Sequence, residues 1–149
     1  LTKFNICKQG ADLQASTISQ MEVNKFIEMY DLDAHVEKIK ECYSKRRDVM
    51  LKAMEDEFPD CVEFTHPQGG LFTWVTFPEG IDAGEMAKKC LEKNVAYVPG
   101  ASFYPNGGVY NTCRLNYSNM PEDKIIEGIK RMGEVLREEL AKEELATNK

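Results

Sequence analysis

Histidine is scarce in this chain, and its cysteines are scattered. There are two histidines, His35 and His66, far apart in sequence and without metal-type partners at close spacing. The five cysteines are odd in number and form no C-x-x-C pair. These patterns favour neither a metal site nor a disulfide framework. Unpaired cysteines instead predict a reducing, cytoplasmic location.

The sequence also lacks long apolar runs and concentrations of positive charge. No stretch reaches the roughly 18 apolar residues that a membrane-spanning helix requires. The formal net charge is −6, and lysine and arginine are interspersed with acids along the predicted helices. We therefore expect neither a membrane nor a nucleic acid as a partner, since a phosphate backbone would meet no basic surface.

The overall composition is that of an ordinary globular protein. Hydrophobic residues make up 42% and charged residues 30% of the 149 positions, which predicts a folded chain with a core of its own. The chain begins with Leu1 and not with methionine. From this we expect it to be part of something longer.

Helical periodicity occupies both ends of the chain. The first 30 residues predict a loop leading into an amphipathic helix. A longer helix is predicted from about Asp33, as its N-cap, to Phe58, before Pro59 stops it. Pro121 and the acids after it start a last helix with one apolar face, and residues 144–149 are expected to fray.

The middle of the chain changes to a pattern typical of strands. Apolar and aromatic residues flank a glycine-containing turn, which predicts a hairpin. The predicted elements are strands near 62–64 and 71–77, a helix over 83–93 capped by Asp82 and ended by a left-handed Asn94, and strands over 95–98 and 112–117.

These elements predict an α/β fold of the α+β kind. Residues 33–143 would form one small domain, with a small mixed or antiparallel sheet and helices packed against it. The preceding helical segment, 1–32, is the element most expected to belong to another domain.

Arg114 is the side chain that most needs an explanation. It lies in mid-strand among apolar residues, where an arginine requires a partner. One interpretation is a guanidinium that grips a carboxylate ligand in a bidentate manner. The other is an ordinary arginine on a solvated strand face, and spacing alone favours it.

Two loops could border a ligand. Gly69 and Gly70, just before Phe72, would let the backbone approach a small molecule, although hairpin turns use the same residues. The segment 98–103 follows a strand end, where α/β folds place ligands. Trp74 is predicted to belong to the core, and the basic cluster 45–47 to be a solvated helix face. No nucleophile with a base and no phosphate-binding loop is present, so residue chemistry alone indicates only a carboxylate site.

Five short motifs, taken in order, resemble the C-terminal part of fold-type I aminotransferases, which depend on pyridoxal phosphate. The resemblance covers nearly the whole chain and is closest to the branch of 2-aminoadipate and aromatic aminotransferases. The motifs are Lys8-Gln9 with Asp12-Leu13, Arg46-Arg47-Asp48 with Met50-Leu51, Pro67 with Gly69 to Val75, Val98-Pro99-Gly100 with Phe103, and Arg114-Leu115-Asn116-Tyr117.

The resemblance implies roles for individual residues. Arg114 matches the arginine that binds the α-carboxylate of the amino acid and of its 2-oxo acid partner. Gly70 and Phe72 match a loop that borders the substrate. Residues 1–32 match the end of the family's large domain and the helix that crosses into the small domain.

The resemblance also implies what this chain does not carry. In the family, the catalytic lysine and the main ligands of pyridoxal phosphate precede the matched segment, and Lys88 or Lys89 would not replace that lysine. We therefore expect no catalytic or cofactor-binding residue in this chain, which would be inactive alone. The intact protein would transfer an amino group between an amino acid and a 2-oxo acid, as a homodimer completed by the missing large domain.

Two other functions remain open from the sequence. The same domain ends a family of transcription regulators, in which an aminotransferase-like body senses an effector. A stand-alone binding or interaction module is the second alternative, and it would have no exposed apolar helix faces.

Overall fold

The structure is a computed structural model that describes residues 1–147. Its elements, in chain order, are α1 (Thr2–Ala11), α2 (Thr17–Met29), α3 (Leu32–Glu57), β1 (Glu63–Phe64), β2 (Phe72–Thr76), α4 (Ala83–Glu92), β3 (Val98–Pro99), a 3₁₀ turn (Gly100–Phe103), β4 (Thr112–Asn116) and α5 (Glu122–Thr147).

The chain divides into two compact units, Leu1–Ile39 and a second unit that begins at Lys40. The first unit contains α1 and α2, neither of which buries any residue. The expected loop at the start of the chain is wrong, because Thr2–Ala11 is helical. The large apolar side chains that α2 leaves exposed, among them Ile18, Met21 and Ile27, disfavour a stand-alone module.

The start of α3 also differs from the prediction. The side chain of Asp31, and not that of Asp33, accepts a hydrogen bond from the backbone N–H of Ala34 at 2.9 Å. Asp33 lies in the first turn of the helix, where its charge is favourable without capping an N–H. The sequence offered two aspartates two positions apart, and the first one is placed to cap.

The second unit contains a four-stranded sheet in the order β1-β2-β4-β3. All three strand pairs are antiparallel, which confirms the antiparallel form of the predicted sheet. β1 and β2 form the predicted hairpin. β3 begins at Val98, so the strand predicted over 95–98 is displaced toward Pro99.

Alternation along β2 and β4 places the core on one face of the sheet. Thr73 and Val75 of β2 and Cys113 and Leu115 of β4 are buried, and the core continues onto three helices. The buried helical residues are Met50, Ala53 and Met54 of α3, Ala83, Met86 and Cys90 of α4, and Ile125, Ile129, Met132, Val135 and Leu136 of α5. Helices therefore cover one face of the sheet. The opposite face carries Trp74 and Arg114.

The ends of α4 confirm the predicted caps. The side chain of Asp82 accepts hydrogen bonds from the backbone N–H groups of Gly84 and Glu85 at 2.7 and 3.1 Å. Asn94 adopts a φ of 59°, the left-handed conformation that ends a helix. α5 extends through Thr147, so the predicted frayed tail is helical over most of its length, and its last two residues lie outside those described. The assignment of 1–32 to a large domain stays a prediction.

Candidate functional site

Arg114 lies at the centre of β4 on the face opposite the helices. Its cross-strand partners are Trp74 on β2 and Val98 on β3, so it is flanked on both sides within the sheet. Its neighbours along the strand, Cys113 and Leu115, point into the core. The arginine is half-buried on this face.

Two aromatic rings contact the guanidinium group. The Cζ atom of Arg114 lies 4.0 Å from the ring centroid of Phe72 and 4.8 Å from that of Phe103. Both distances are within the range of a cation–π interaction. Phe72 is two positions from Trp74 along β2, so it occupies the diagonal position relative to Arg114, which a long side chain can reach. We call Phe72, Trp74, Phe103 and Arg114 the arginine face.

No acidic side chain among residues 1–147 forms a salt bridge with Arg114, although the chain has 25 aspartates and glutamates against 19 lysines and arginines. The Nε atom of Arg114 is buried and has no hydrogen-bond partner within the described chain. A buried donor of a charged group without an acceptor is costly. Arg46 Nε and Thr112 Oγ1 are buried and unpaired within residues 1–147 as well, so this feature alone does not distinguish Arg114. The missing acidic partner among these residues does, and it fits an anion supplied from outside.

The core beneath the arginine face supplies no negative charge either. Burial raises the pKa of the Cys113 thiol well above its ordinary value, and the nearby Cys90 raises it further. Burial likewise raises the pKa of Cys90 to about 11. Both thiols are therefore neutral, and no thiolate lies behind Arg114.

The hairpin loop brings Phe72 into place and sets Gly70 just before it. Gly70 has a φ of 86°, a conformation that favours glycine, and a Cβ atom added there would meet nothing within 4 Å. The hydroxyl group of Tyr117 donates a hydrogen bond to the carbonyl oxygen of Gly69 at 3.1 Å. Gly70 thus lies in the hairpin loop two residues before Phe72, with open space around its Cα, while Phe72 is in direct contact with Arg114.

Sequence reasoning placed Trp74 in the core, which is wrong. Trp74 is half-buried on the arginine face because β2 alternates, and Thr73 and Val75 occupy the core side. Its ring makes edge contacts with Phe103 at 5.5 Å and with Tyr104 at 6.2 Å. The contact of Phe103 with Arg114 was not predicted. The motif that carries Phe103 was visible in the sequence, but only the fold brings it beside β4.

The basic cluster at 45–47 was predicted to be a solvated helix face. The structure shows that only part of it is. Lys45 is exposed and lies 3.6 Å from a carboxylate oxygen of Glu122. Arg46 is half-buried and donates a hydrogen bond to the carbonyl oxygen of Ser118. The side chain of Arg47 is 20% exposed and pairs with Asp48 at 2.6 Å. Arg46 therefore helps to hold the segment after β4, and Arg47 is paired with an acid of its own helix.

Four lysines of this chain do not fit a covalent cofactor site. Lys88 pairs with Glu85 at 2.6 Å and is 69% exposed, and Lys89 pairs with Glu139. A hydrogen bond to Asp56 raises the pKa of Lys52, and one to Glu138 raises that of Lys93. A lysine that must react as a free amine requires the opposite shift.

Residues 1–147 contain neither a cluster of metal ligands nor a membrane-spanning helix. No group of three histidine, cysteine, aspartate or glutamate side chains is placed there to hold a metal ion. None of the helices in this range has the length and apolar character to cross a membrane.

Comparison with known proteins identifies the family to which this arrangement belongs. No family model matches the chain. The aromatic-amino-acid aminotransferase 1 of Thermococcus litoralis is 49% identical over 95% of this chain. The multiple substrate aminotransferase of Thermococcus profundus superposes on 92% of it with a TM-score of 0.82 and 44% identity. The chain is a C-terminal part of a fold-type I aminotransferase.

A third relative has been solved with a ligand. The α-aminoadipate aminotransferase LysN of Thermus thermophilus, complexed with N-(5'-phosphopyridoxyl)-L-leucine, is 38% identical and superposes on 91% of this chain with a TM-score of 0.81. The chain spans about a third of the length of these relatives: 34% of each of the three. More distant matches include a helix-turn-helix-type transcriptional regulator of Bacillus subtilis, 25% identical over 93% of the chain and 28% of that protein.

Proposed function

We propose that the full-length protein containing this chain transfers an amino group between an amino acid and a 2-oxo acid, and that Arg114 binds the α-carboxylate of both. The observation that carries this proposal is the incomplete electrostatic environment of Arg114. It is a half-buried cation that contacts two aromatic rings and no acid of the described chain, with its Nε atom buried and unpaired. A carboxylate is the complement of such a group.

The geometry of a guanidinium group suits this role. Its N–H donors lie in one plane, and two of them can bind both oxygens of a carboxylate at once. A lysine at this position would provide a point charge without the planar fork. Because the amino acid and the 2-oxo acid share the carboxylate, one arginine orients the substrates of both half-reactions in the same way.

Phe72 and Gly70 form the wall beside the bound carboxylate in this proposal. Phe72 is 38% exposed although it contacts Arg114, so part of its ring faces the space that a substrate would occupy. Gly70 has no side chain to obstruct that space, and a Cβ atom there would project into the open. Their assigned task is to exclude water from one side of the ion pair, which strengthens it.

Pyridoxal phosphate is the cofactor that this function requires, and it supplies an electron sink when bound. Four lysines of this chain do not suit its covalent attachment, since Lys52, Lys88, Lys89 and Lys93 are held in ion pairs. We propose that its covalent attachment and its phosphate site lie in the part of the protein outside this chain. This chain then acts on the substrate and not on the cofactor.

We further propose that the intact protein is a cytoplasmic homodimer with a large domain that completes the site. The free state of all five cysteines supports a reducing compartment. The apolar side chains that α2 leaves exposed support a covering domain.

The test is the kinetics of the full-length protein with Arg114→Lys. We expect kcat/KM for the amino acid to fall by about 10- to 100-fold, because the lysine cannot form the paired hydrogen bonds to the carboxylate. Arg131→Lys on α5 is the matched control, since Arg131 is a half-buried arginine that is paired with an acid, Glu127, at 2.9 Å. Its kinetics should remain those of the wild type. An Arg114→Lys variant with unchanged kcat/KM would contradict the assignment of Arg114.

The isolated chain provides a second test. Mixed with pyridoxal phosphate and an amino acid, it should neither transfer the amino group nor develop a stable absorbance band that depends on one of its lysines. A stable band that depends on one lysine would show that this lysine holds the cofactor.

The alternative function is an effector-sensing body of a transcription regulator. The match to the Bacillus subtilis regulator supports it, but at 25% identity against 49% for the aromatic-amino-acid aminotransferase. The residues upstream of this chain discriminate the two, since a regulator would carry a helix-turn-helix domain. Such a domain, together with an absence of amino-group transfer, would favour the regulator.

A further inference from the structure

We infer that Phe103 is a positioning residue for carboxylate recognition: together with Phe72 it holds the guanidinium of Arg114 by its face, so that the N–H donors at its edge remain available to the substrate. The inference rests on the proposed function, since it concerns the same site. It adds a residue on the 3₁₀ turn to a site otherwise built on β2 and β4, and it gives the aromatic contacts a mechanistic role.

The chemistry of the contact explains why rings serve this purpose better than an acid. An acidic side chain would neutralise Arg114 by accepting the hydrogen bonds that the substrate needs. An aromatic ring attracts the cation through its negative face and accepts no bond from the edge of the guanidinium plane. The aromatic contacts therefore restrain the cation without occupying the N–H groups that would bind the substrate.

The position of Phe103 is itself fixed by the fold. Its ring meets the ring of Trp74 at 5.5 Å and an interplanar angle of 81°, an edge-to-face contact. The turn that carries it starts at Gly100, which is buried against β4. A Cβ atom at Gly100 would lie 2.1 Å from Oγ1 of Thr112 and 2.9 Å from Cζ2 of Trp74. Only glycine allows the turn to approach the sheet this closely, and this approach brings Phe103 to Arg114.

Burial shows that Phe103 is not simply a core residue. It remains 45% exposed and lies outside the cluster of buried apolar side chains. A phenylalanine that is nearly half exposed contributes little to the core, yet its ring is 4.8 Å from a cation that has no acidic partner among the described side chains. The contact with Arg114 accounts for its placement better than core packing does.

The experiment compares three substitutions in the full-length protein. Phe103→Leu retains apolar bulk and removes the ring, and it should raise KM about three- to tenfold for both the amino acid and the 2-oxo acid, with a smaller change in kcat. Phe103→Tyr keeps the ring and should restore KM to within about twofold of the wild type. Tyr110→Leu, at another exposed aromatic residue, is the matched control and should leave KM unchanged.

A second readout separates positioning from folding. The ratio of kcat/KM for the amino acid to that for the matching amine without the carboxylate should fall in Phe103→Leu, because the amine does not use Arg114. A merely structural defect would impair both substrates equally and leave the ratio unchanged. If Phe103→Leu lowers the melting temperature, Phe103→Met serves as a second ring-free variant for the same ratio.

The outcomes distinguish this inference from the proposed function. If Arg114→Lys impairs carboxylate use and Phe103→Leu changes neither KM nor the substrate ratio, Phe103 has no positioning role and the proposed function stands. Equal losses in Phe103→Leu and Phe103→Tyr would also overturn the inference, since the ring would not be the cause. A full-length protein without any amino-group transfer would overturn both.

Discussion

Tyr117 and Gly69 are joined by a hydrogen bond of 3.1 Å from the tyrosine hydroxyl group to the glycine carbonyl oxygen. The backbone N–H of Tyr117 also donates to the carbonyl oxygen of Leu71 at 3.1 Å. Tyr117 is only 1% exposed and belongs to the core. Its hydroxyl group nevertheless reaches the hairpin loop. Burial raises the pKa of Tyr117, against an opposing effect of Arg47, so the hydroxyl group remains a donor. One residue thus ties the end of β4 to the loop that carries Gly70.

Removing this hydroxyl group should weaken the hairpin loop. Tyr117→Phe keeps the buried ring and loses the hydrogen bond to Gly69, so we expect the free energy of unfolding to fall by about 1 kcal/mol. Urea denaturation of the chain measures it. Tyr110→Phe, at an exposed tyrosine, should change the free energy by no more than about 0.5 kcal/mol. Equal midpoints for Tyr117→Phe and the wild type would show that the bond contributes nothing.

Two glycines of α5 should respond to alanine with opposite signs. At Gly133 an added Cβ atom would lie 2.6 Å from the carbonyl oxygen of Glu57, so Gly133→Ala forces α3 and α5 apart and should destabilise the chain by about 1 to 3 kcal/mol. At Gly128 a Cβ atom would meet nothing within 4 Å. Gly128→Ala should therefore stabilise by about 0.5 to 1 kcal/mol through helix propensity. Thermal unfolding of both variants checks the pair, and two changes of the same sign would refute the close approach.

The ion pairs of Glu139 predict a loss of stability in acid. Burial acts to raise the pKa of Glu139, but hydrogen bonds and charges from Lys142 and Lys89 outweigh it, so the pKa is lowered. A carboxyl group with a lowered folded pKa stabilises the native state above its unfolded pKa, and this contribution disappears as the pH falls through the folded value. Glu139→Gln should therefore lower the melting temperature near about pH 7 and lose this effect toward about pH 3.

A second glutamate is the control for this pH dependence. Glu85 pairs with Lys88, but the two side chains are 65% and 69% exposed. Solvent screens such a pair, so Glu85→Gln should change the melting temperature little at any pH. If Glu139→Gln lowers the melting temperature as much in acid as at neutral pH, the loss of stability comes from packing and not from charge.

Four of the five cysteines should divide by reactivity. Cys7 and Cys61 are exposed, whereas Cys90 and Cys113 are buried with raised thiol pKa values. Alkylation requires the thiolate and access to it, so iodoacetamide should modify the two exposed cysteines first in the native chain. Peptide mass spectrometry at increasing times reports the order. Modification of Cys113 as fast as that of Cys61 would indicate that the sheet opens on the timescale of labelling.

Local signals were enough for most of the secondary structure. Asp82 and Asn94 bound α4 where the sequence placed its caps, because capping depends on residues within one turn of the helix end. The hairpin and the last helix also follow from nearby residues. Asp31 and Asp33 show the limit of such signals, since both residue types cap helices and only the path of the chain selects one of them.

The arginine face shows what local signals could not supply. The alternation of β4 put Arg114 on the side opposite Cys113 and Leu115, and motif resemblance added a role for it. Phe103 precedes Arg114 by eleven positions, yet its ring centroid lies 4.8 Å from the Cζ atom of Arg114. This contact depends on the packing of β3, β4 and the turn. Trp74 was misplaced for the same reason, because a large apolar residue is expected in the core unless the pairing of its strand is known.

The sequence by itself determined the helices after α1, the hairpin and the residue type that can bind a carboxylate, because those properties depend on side chains and their near neighbours. The tertiary structure alone decided that Arg114 meets two aromatic rings and no acid of the part of the chain that the structure describes. That outcome results from strand register and from the close approach allowed by Gly100, which are relations between segments distant in sequence.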